Sequence, residues 1–187
     1  EGGGGTVSSE ELAAQGQTTA AQVRKDLSHF GSFGKRGLGY RVDELRDRLG
    51  TILGVDRTWR VALVGAGRIG LALFEYPAFR SRGYECVAIF DSDPAKVGSL
   101  WGDLPILGPE KFEATLSELD VELVILAIPA AGAQAMAERA VEGGVKGILN
   151  FAPIRLNITP AVSLEDVNLV MELEGLSFSI TQKELEG

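Results

Sequence analysis

Six residues, Gly65-Ala66-Gly67-Arg68-Ile69-Gly70, and one acid, Asp91, hold the clearest chemistry in the sequence. The run reads "VALVGAGRIG": an apolar strand-like stretch, three glycines at the GxGxxG spacing, and the start of a helix. Backbone N–H groups of such a turn, together with those at a helix N-terminus, hold a pyrophosphate. Gly65 permits the tight turn, Gly67 lets the ligand approach the backbone, and Gly70 lets helix and strand pack closely. A second apolar run, "ECVAIF", ends at Asp91, about 20 residues past the last glycine. A carboxylate at that distance accepts hydrogen bonds from the adenine ribose and repels a 2′-phosphate, so the pattern favours NAD(H) over NADP(H).

Two further segments fall where open parallel sheets bind ligands, at the carboxyl ends of strands. They are "AIPAA", with Pro129, and "NFAP", with Asn150 and Phe151; together they point to a nicotinamide pocket. Catalytic equipment is not evident, and no catalytic residue is assigned. The only histidine, His29, lies in the front part of the chain. Of the lysines after the turn, Lys96 follows Asp91 closely enough to meet the adenosine end, while Lys111, Lys146 and Lys183 read as surface charges. Little sequence follows "NFAP" to build a substrate domain. Two functions fit a dinucleotide site of this kind: an NAD-dependent oxidoreductase, or a DNA-binding protein controlled by a nucleotide.

Charge favours the second. The chain carries a formal net charge of −8, yet residues 1–58 are neutral and all of the excess acid lies behind them. Within the neutral part, "VRKDLSHFGSFGKRGLGY" gathers Arg24, Lys25, Lys35 and Arg36 against one acid, Asp26. An acidic body repels DNA, so a local basic face supplies the attraction and selects the surface that docks. Arg24, Lys25 and Ser28 would face the major groove from a helix, and Lys35 and Arg36 would reach phosphates or the minor groove from the tip of a glycine-rich ribbon.

The elements that must position these residues are legible in outline. Ser8 and Glu11 form a capping-box pattern that starts a helix near Ser9, which breaks near Gly16. Thr18 or Thr19 then caps "AAQVRKDLSHF", where Val23, Leu27 and Phe30 recur at i, i+4 and i+7 and predict one buried face. "GSFGKRGLGY" suits a short two-stranded ribbon, and "RVDELRDRLGTILG" a further helix. From Arg60 onward, strand-like runs rich in Val, Ile and Leu alternate with helical segments, which predicts a doubly wound α/β sheet of Rossmann type. "LPILG" reads as a short strand and "PEKFEATLSELD" as a surface helix. At the end, "DVNLVMELEGLSFSI" sets Val167, Val170 and Met171 beside Leu169, Leu173 and Leu176, an apolar helical face broad enough to require a partner; a homodimer is the expectation.

Composition narrows the rest. One cysteine, Cys86, in an apolar run excludes an internal disulfide, and one His with one Cys excludes a His/Cys zinc site. No apolar run reaches the ~20 residues of a membrane span. A cytoplasmic protein is expected.

The stretches "SSEELAAQGQTTAAQVRKDLSHFGSFGKRGLGY", "VGAGRIG", "FDSDPAKVG" and "GILNFAPIRL", in this order, resemble the Rex family of redox-sensing transcriptional repressors. The resemblance runs from about Thr6 to Phe178. It implies a winged helix-turn-helix DNA-binding domain at residues 1–58, a Rossmann NAD(H)-binding domain at 59–166, and a C-terminal helix at 167–187 exchanged within a homodimer. It implies a repressor that NADH releases from operator DNA, and no enzyme. Residue by residue, it carries the phosphate turn onto Gly65, Gly67, Arg68 and Gly70, the ribose acid onto Asp91, and the lysine after "DP" onto Lys96. It places Tyr76 near the nicotinamide and the DNA-contacting bases at Arg24, Lys25, Lys35 and Arg36. Two departures stand out. The family has a long helix ahead of "TVSS", where this sequence shows "EGGGG", so the first helix of the DNA-binding domain is expected to be absent. Asn168 stands where the family usually has Asp.

Overall fold

Parallel strands buried on both faces and short capped helices follow from the patterns above, and the chain divides into two units between Thr58 and Trp59. The structure, a computed structural model, describes residues 5–31, 34 and 38–186. Lys35 and Arg36 lie outside the described residues.

In the front unit, helix α1 (Ser9–Gln15) begins with a complete capping box. Glu11 N–H donates to the Ser8 hydroxyl at 3.1 Å, and Ser8 N–H donates to the Glu11 carboxylate at 2.7 Å. Gln17, at φ 50°, turns the chain, and Thr19 caps helix α2 (Ala20–His29) by accepting from Gln22 N–H. Strands β1 (Thr6–Val7) and β2 (Tyr40–Arg41) pair antiparallel, and helix α3 (Val42–Leu53) follows. Leu27, Tyr40 and Leu45 pack with Val7, Leu12, Val23 and Leu49 around them, and the Ser9 and Tyr40 hydroxyls share a buried hydrogen bond. One expectation changes here. Phe30 is half exposed, because it is the C-cap of α2 and has left the helical stripe. The ribbon expected of "GSFGKRGLGY" lies largely outside the described residues, and Tyr40–Arg41 at its end pairs with β1.

The back unit is a seven-stranded sheet. Its strands are β3 (Trp59–Val64), β4 (Tyr84–Phe90), β5 (Leu100–Trp101), β6 (Leu104–Leu107), β7 (Leu123–Leu126), β8 (Gly147–Asn150) and β9 (Ser163–Asp166). They lie in the order β5-β6-β4-β3-β7-β8-β9, all parallel except the β5–β6 pair. From β6 to β9 this is the doubly wound order 3-2-1-4-5-6, with the switch point between β3 and β7. Helices α4 (Arg68–Phe74) and α5 (Pro77–Ser81) contribute Leu73, Phe74 and Phe79 to one face. Helices α6 (Phe112–Glu118) and α7 (Ala130–Glu142) bury Phe112, Leu116, Ala133, Ala137 and Ala140 on the other. The segment read as a surface helix therefore supplies two core residues. Strand β9 escaped the sequence reading because "SLED" is polar and mostly exposed, as an edge strand paired only with β8 can be.

The last helix, α8 (Leu169–Glu186), starts at Asn168, whose side-chain oxygen accepts from Val170 and Met171 N–H at 3.1 and 3.2 Å. Its apolar residues, from Leu169 to Leu185, are all at least half exposed. Among the described residues no helix is long and apolar enough to cross a membrane.

Helices α6 and α7 are joined by a polar brace. Arg139 donates to both oxygens of Glu113 and to the Pro109 carbonyl (2.7 Å), and its guanidinium lies 5.4 Å from the centre of the Phe112 ring. The hydrogen bond from Arg139 holds the Glu113 carboxyl down at about 2, and the same bond pushes the Arg139 guanidinium up. A folded value below the ordinary 4.5 stabilises the fold above that pH and is lost as pH falls toward 2. Both side chains are about a third or more exposed, so the contribution is under about 1 kcal/mol. In Arg139→Gln, an NMR titration of Glu113 is expected to move its midpoint back toward 4.5, and the acid-side loss of stability between these pH values is expected to flatten.

Candidate functional site

Register builds the site before any side chain does. Phe90, Val64, Leu126 and Asn150 lie side by side across β4, β3, β7 and β8. Their successors, Asp91, Gly65, Ala127 and Phe151, form one row at the carboxyl edge. The row is tied by Gly65 N–H to Phe90 O (2.8 Å), Ala127 N–H to Val64 O (2.8 Å) and Phe151 N–H to Leu126 O (2.9 Å). Residues far apart in sequence thus converge at the switch point, where such sheets bind nucleotides.

The three glycines of the turn have three different surroundings. Gly65 has φ 105°, and a Cβ there would overlap the carbonyl oxygen of Ala127 in the neighbouring strand's loop. Gly70, buried in α4, comes so close to the Gly65 carbonyl oxygen that a Cβ would overlap it. A Cβ on Gly67 would meet nothing within 4 Å. Gly65 and Gly70 therefore close the turn, while Gly67 leaves an open cradle above the backbone. The first helical bond runs from Leu71 N–H to Gly67 O, so the N–H groups that precede it point out of the helix end. Arg68 and Ile69 are exposed at that end, and Ala66 is buried below it.

Asp91 faces the turn. Its Oδ2 accepts from Ala66 N–H at 2.8 Å and from the Lys96 ammonium at 2.9 Å, and its Oδ1 accepts from Asp93 N–H at 2.8 Å. Burial alone would push the carboxyl up. The bonds from Asp93, Lys96 and Ala66 outweigh it and hold Asp91 below the ordinary aspartate value, so it stays ionised at neutral pH. These residues fit a dinucleotide: an open glycine cradle for phosphate and an ionised acid at the end of the adjacent strand.

Pro129 caps α7 just beyond Ala127, and Phe151 is half-buried in the row, so both lie at the carboxyl edge. Asn150 does not present its amide there. It is 1% exposed, its Nδ2 donates to the carbonyls of Ala152 and Ile154 and to Asp166, and its Oδ1 accepts from Ala152 N–H. Asn150 is a brace that shapes the turn after β8. The seven residues of α4 carry the chain about 10 Å from the turn. Tyr76 then stands at the start of α5, edge-on to Phe79, beside a cavity of about 40 Å³ lined by Val61, Leu63, Phe74 and Cys86. Burial in those apolar surroundings pushes the Cys86 thiol up to about 11, so it is an inert core thiol. The sequence reading missed Asp166 as the partner of Asn150, and it missed the backbone donors of Ala66 and Asp93. Backbone groups leave no mark on residue type, and Asp166 ends a strand that was itself unread.

On the front unit, α2 exposes Arg24 and Lys25. Arg24 is loosely paired with Glu10 at 3.4 Å, and the Ser28 hydroxyl donates to the Lys25 carbonyl at 2.6 Å. The opposite side of α2 buries Leu27 and half-buries Val23, so packing fixes which side the bases occupy.

Comparison with known proteins agrees with both halves. The family model described as "CoA binding domain" matches residues 56–154, and that described as "Putative DNA-binding protein N-terminus" matches residues 1–28. The redox-sensing transcriptional repressor Rex of Carboxydothermus hydrogenoformans is 48% identical over 94% of this chain and 84% of its own length. Rex 1 of Thermotoga maritima is 43% identical, covering 95% and 85%. A crystal structure of RSP with β-NAD+ and operator DNA superposes with a TM-score of 0.90 at 38% identity, covering 96% of this chain and 83% of that one. A structure of RSP with β-NADH gives 0.81 at 36% identity, over 96% and 84%.

The three glycine environments separate in a simple experiment. Gly65→Ala is expected to destabilise the fold by at least the ~1–3 kcal/mol of a strained backbone, with the steric overlap in addition. Gly70→Ala is expected to destabilise as well, by overlap with the Gly65 carbonyl. Gly67→Ala is expected to stay within about 0.5 kcal/mol of the parent. Urea unfolding of the three variants checks the order.

Proposed function

The chain belongs to the Rex family of redox-sensing transcriptional repressors, and we propose that it binds operator DNA as a homodimer and leaves it when NADH occupies the glycine turn. The relatives are named as repressors and not as enzymes. The observation that carries the reading is the joint one: an open cradle at Gly67 beside an ionised Asp91, in a chain whose other unit exposes Arg24 and Lys25 from a helix. NADH and NAD+ differ at one ring, which is uncharged in the first and cationic in the second; that difference is the signal the cofactor supplies.

In this reading Gly65, Ala66, Gly67, Arg68, Ile69 and Gly70 surround the pyrophosphate. Asp91 and Lys96 stand at the adenine ribose. The carboxyl-edge residues Pro129 and Phe151 border the nicotinamide, with Asn150 holding their backbone in place. A ligand moves an equilibrium only by its differential affinity for the two states, so the groups around the ring decide how NADH and NAD+ are told apart. Helix α2 lies in the major groove with Arg24 and Lys25 toward the DNA, and Ser28 fixes the local backbone. Lys35 and Arg36 add sequence-independent attraction to phosphates. Operator DNA places the protein in the cytoplasm.

The dimer rests on α8. A helix whose Leu169, Leu173, Leu176 and Ile180 recur at i, i+4, i+7 and i+11, all at least half exposed, is covered in the working protein by a second copy. Analytical ultracentrifugation of Leu173→Glu plus Leu176→Glu is expected to show monomers where the parent shows a dimer; a dimer of unchanged affinity would contradict this.

The decisive experiment is operator binding at fixed salt across NADH/NAD+ mixtures. NADH is expected to release the protein and NAD+ to do so poorly. Gly67→Ala, folded but with a methyl group in the cradle, is expected to stay on the operator at NADH concentrations that release the parent. Equal effects of the two nucleotides on the parent would end the redox-sensor reading.

A further inference from the structure

The Asp91 carboxylate is held by donors that belong to this chain alone. Ala66 N–H and the Lys96 ammonium converge on Oδ2, and Asp93 N–H reaches Oδ1, all within 2.9 Å. The Asp91 side chain is only 11% exposed. An ionised carboxylate offers about four acceptor sites, and three are taken here before any ligand arrives. Two backbone N–H groups and one full positive charge around a single anionic group are the donor set that phosphate sites use. Asp93, two residues further on, is exposed and accepts from Ala95 N–H at 3.0 Å, turned to its own loop.

We propose that this is a phosphate cradle which the protein fills with its own carboxylate, and that Lys96, held there by Asp91, is a latent 2′-phosphate ligand. In the parent chain Lys96 is a positioning residue: it orients Asp91 and neutralises it in part. With the carboxylate removed, Ala66 N–H, Asp93 N–H and Lys96 converge on space next to the adenine ribose and receive the phosphate of NADP(H). The inference rests on the reading of the glycine turn as a dinucleotide site.

Calorimetric titration of the full chain with NADH and NADPH tests it, using Asp91→Ser, which opens the cradle, and Asp91→Asn, which keeps its packing. Each is also combined with Lys96→Gln. The parent is expected to bind NADH and to bind NADPH far more weakly. Asp91→Ser is expected to bind NADPH about 10- to 100-fold more tightly than the parent does, the worth of one or two hydrogen bonds to a charged group, and to prefer NADPH over NADH. Asp91→Asn is expected to gain less, and Lys96→Gln to remove most of the gain in either background. Thermal melts report folding, and where Asp91→Ser is unfolded the Asp91→Asn pair decides. No gain in NADPH affinity overturns the proposal, and so does a gain that Lys96→Gln leaves intact, which would be mere relief of repulsion. A parent that binds no NADH overturns the glycine-turn reading and this inference together; a parent that binds NADH while its variants gain nothing for NADPH overturns the inference alone.

Discussion

Gly65 is wedged between two backbones: the Ala127 carbonyl of the next strand's loop on one side and Gly70 of its own following helix on the other. That double contact fixes where α4 leaves the sheet, and so where its N–H groups point. It also brings Ala66 N–H within reach of Asp91, which in turn gathers Lys96 and Asp93. A side chain at either glycine would push the helix off the sheet edge and open the row of residues at the switch point. The cradle at Gly67 exists because its two neighbours in the motif are so tightly held. One part of the turn is closed for packing and the other is left open for a ligand.

Electrostatics divides the labour between the units. The back unit carries the excess acid, and its site nonetheless concentrates donors: helix N–H groups, turn N–H groups and one lysine on one carboxylate. The front unit is neutral in sum and basic on one helical side, because Leu27 and Val23 claim the other side for the core. Against the repulsion between DNA and an acidic body, a small basic face acts as an orienting device as much as an attractive one.

The uncovered helix α8 sets a different constraint. Its mid-chain companions reach burial within the unit: α7 buries three alanines against the sheet, and α6 buries Phe112 completely. Helix α8 leaves its large apolar residues in water, although Asn168 caps it and 18 residues allow several helical turns. A helix of such composition is stable only against a surface, since isolated helices are marginal in water. Covering α8 in the proposed homodimer would satisfy the same burial rule that shapes the rest of the chain.

How much was legible in advance depended on whether a signal was local. The GxGxxG turn, Asp91 at the end of the next strand, the caps at Ser8 and Thr19 and the alternation of strands and helices are written in residue type and spacing, because each reflects a short-range rule of backbone conformation or burial. Strand β9 was not legible, since an edge strand needs no apolar run. Nor was the role of Asn150. Its residue type allows a ligand contact, but tertiary structure commits it to Ala152, Ile154 and Asp166, whereas Lys96, read beside Asp91, pairs with it. Phe30 kept its place in the helical period and lost its place in the core when the helix ended one residue before it. The sequence by itself determined the capped helices and the apolar strands, and which residues lie at their ends. Only the tertiary structure decided which of those ends meet and which polar groups are already satisfied by the chain, because hydrogen-bond partners across parallel strands come from register, and register is a property of the packed sheet rather than of any one segment.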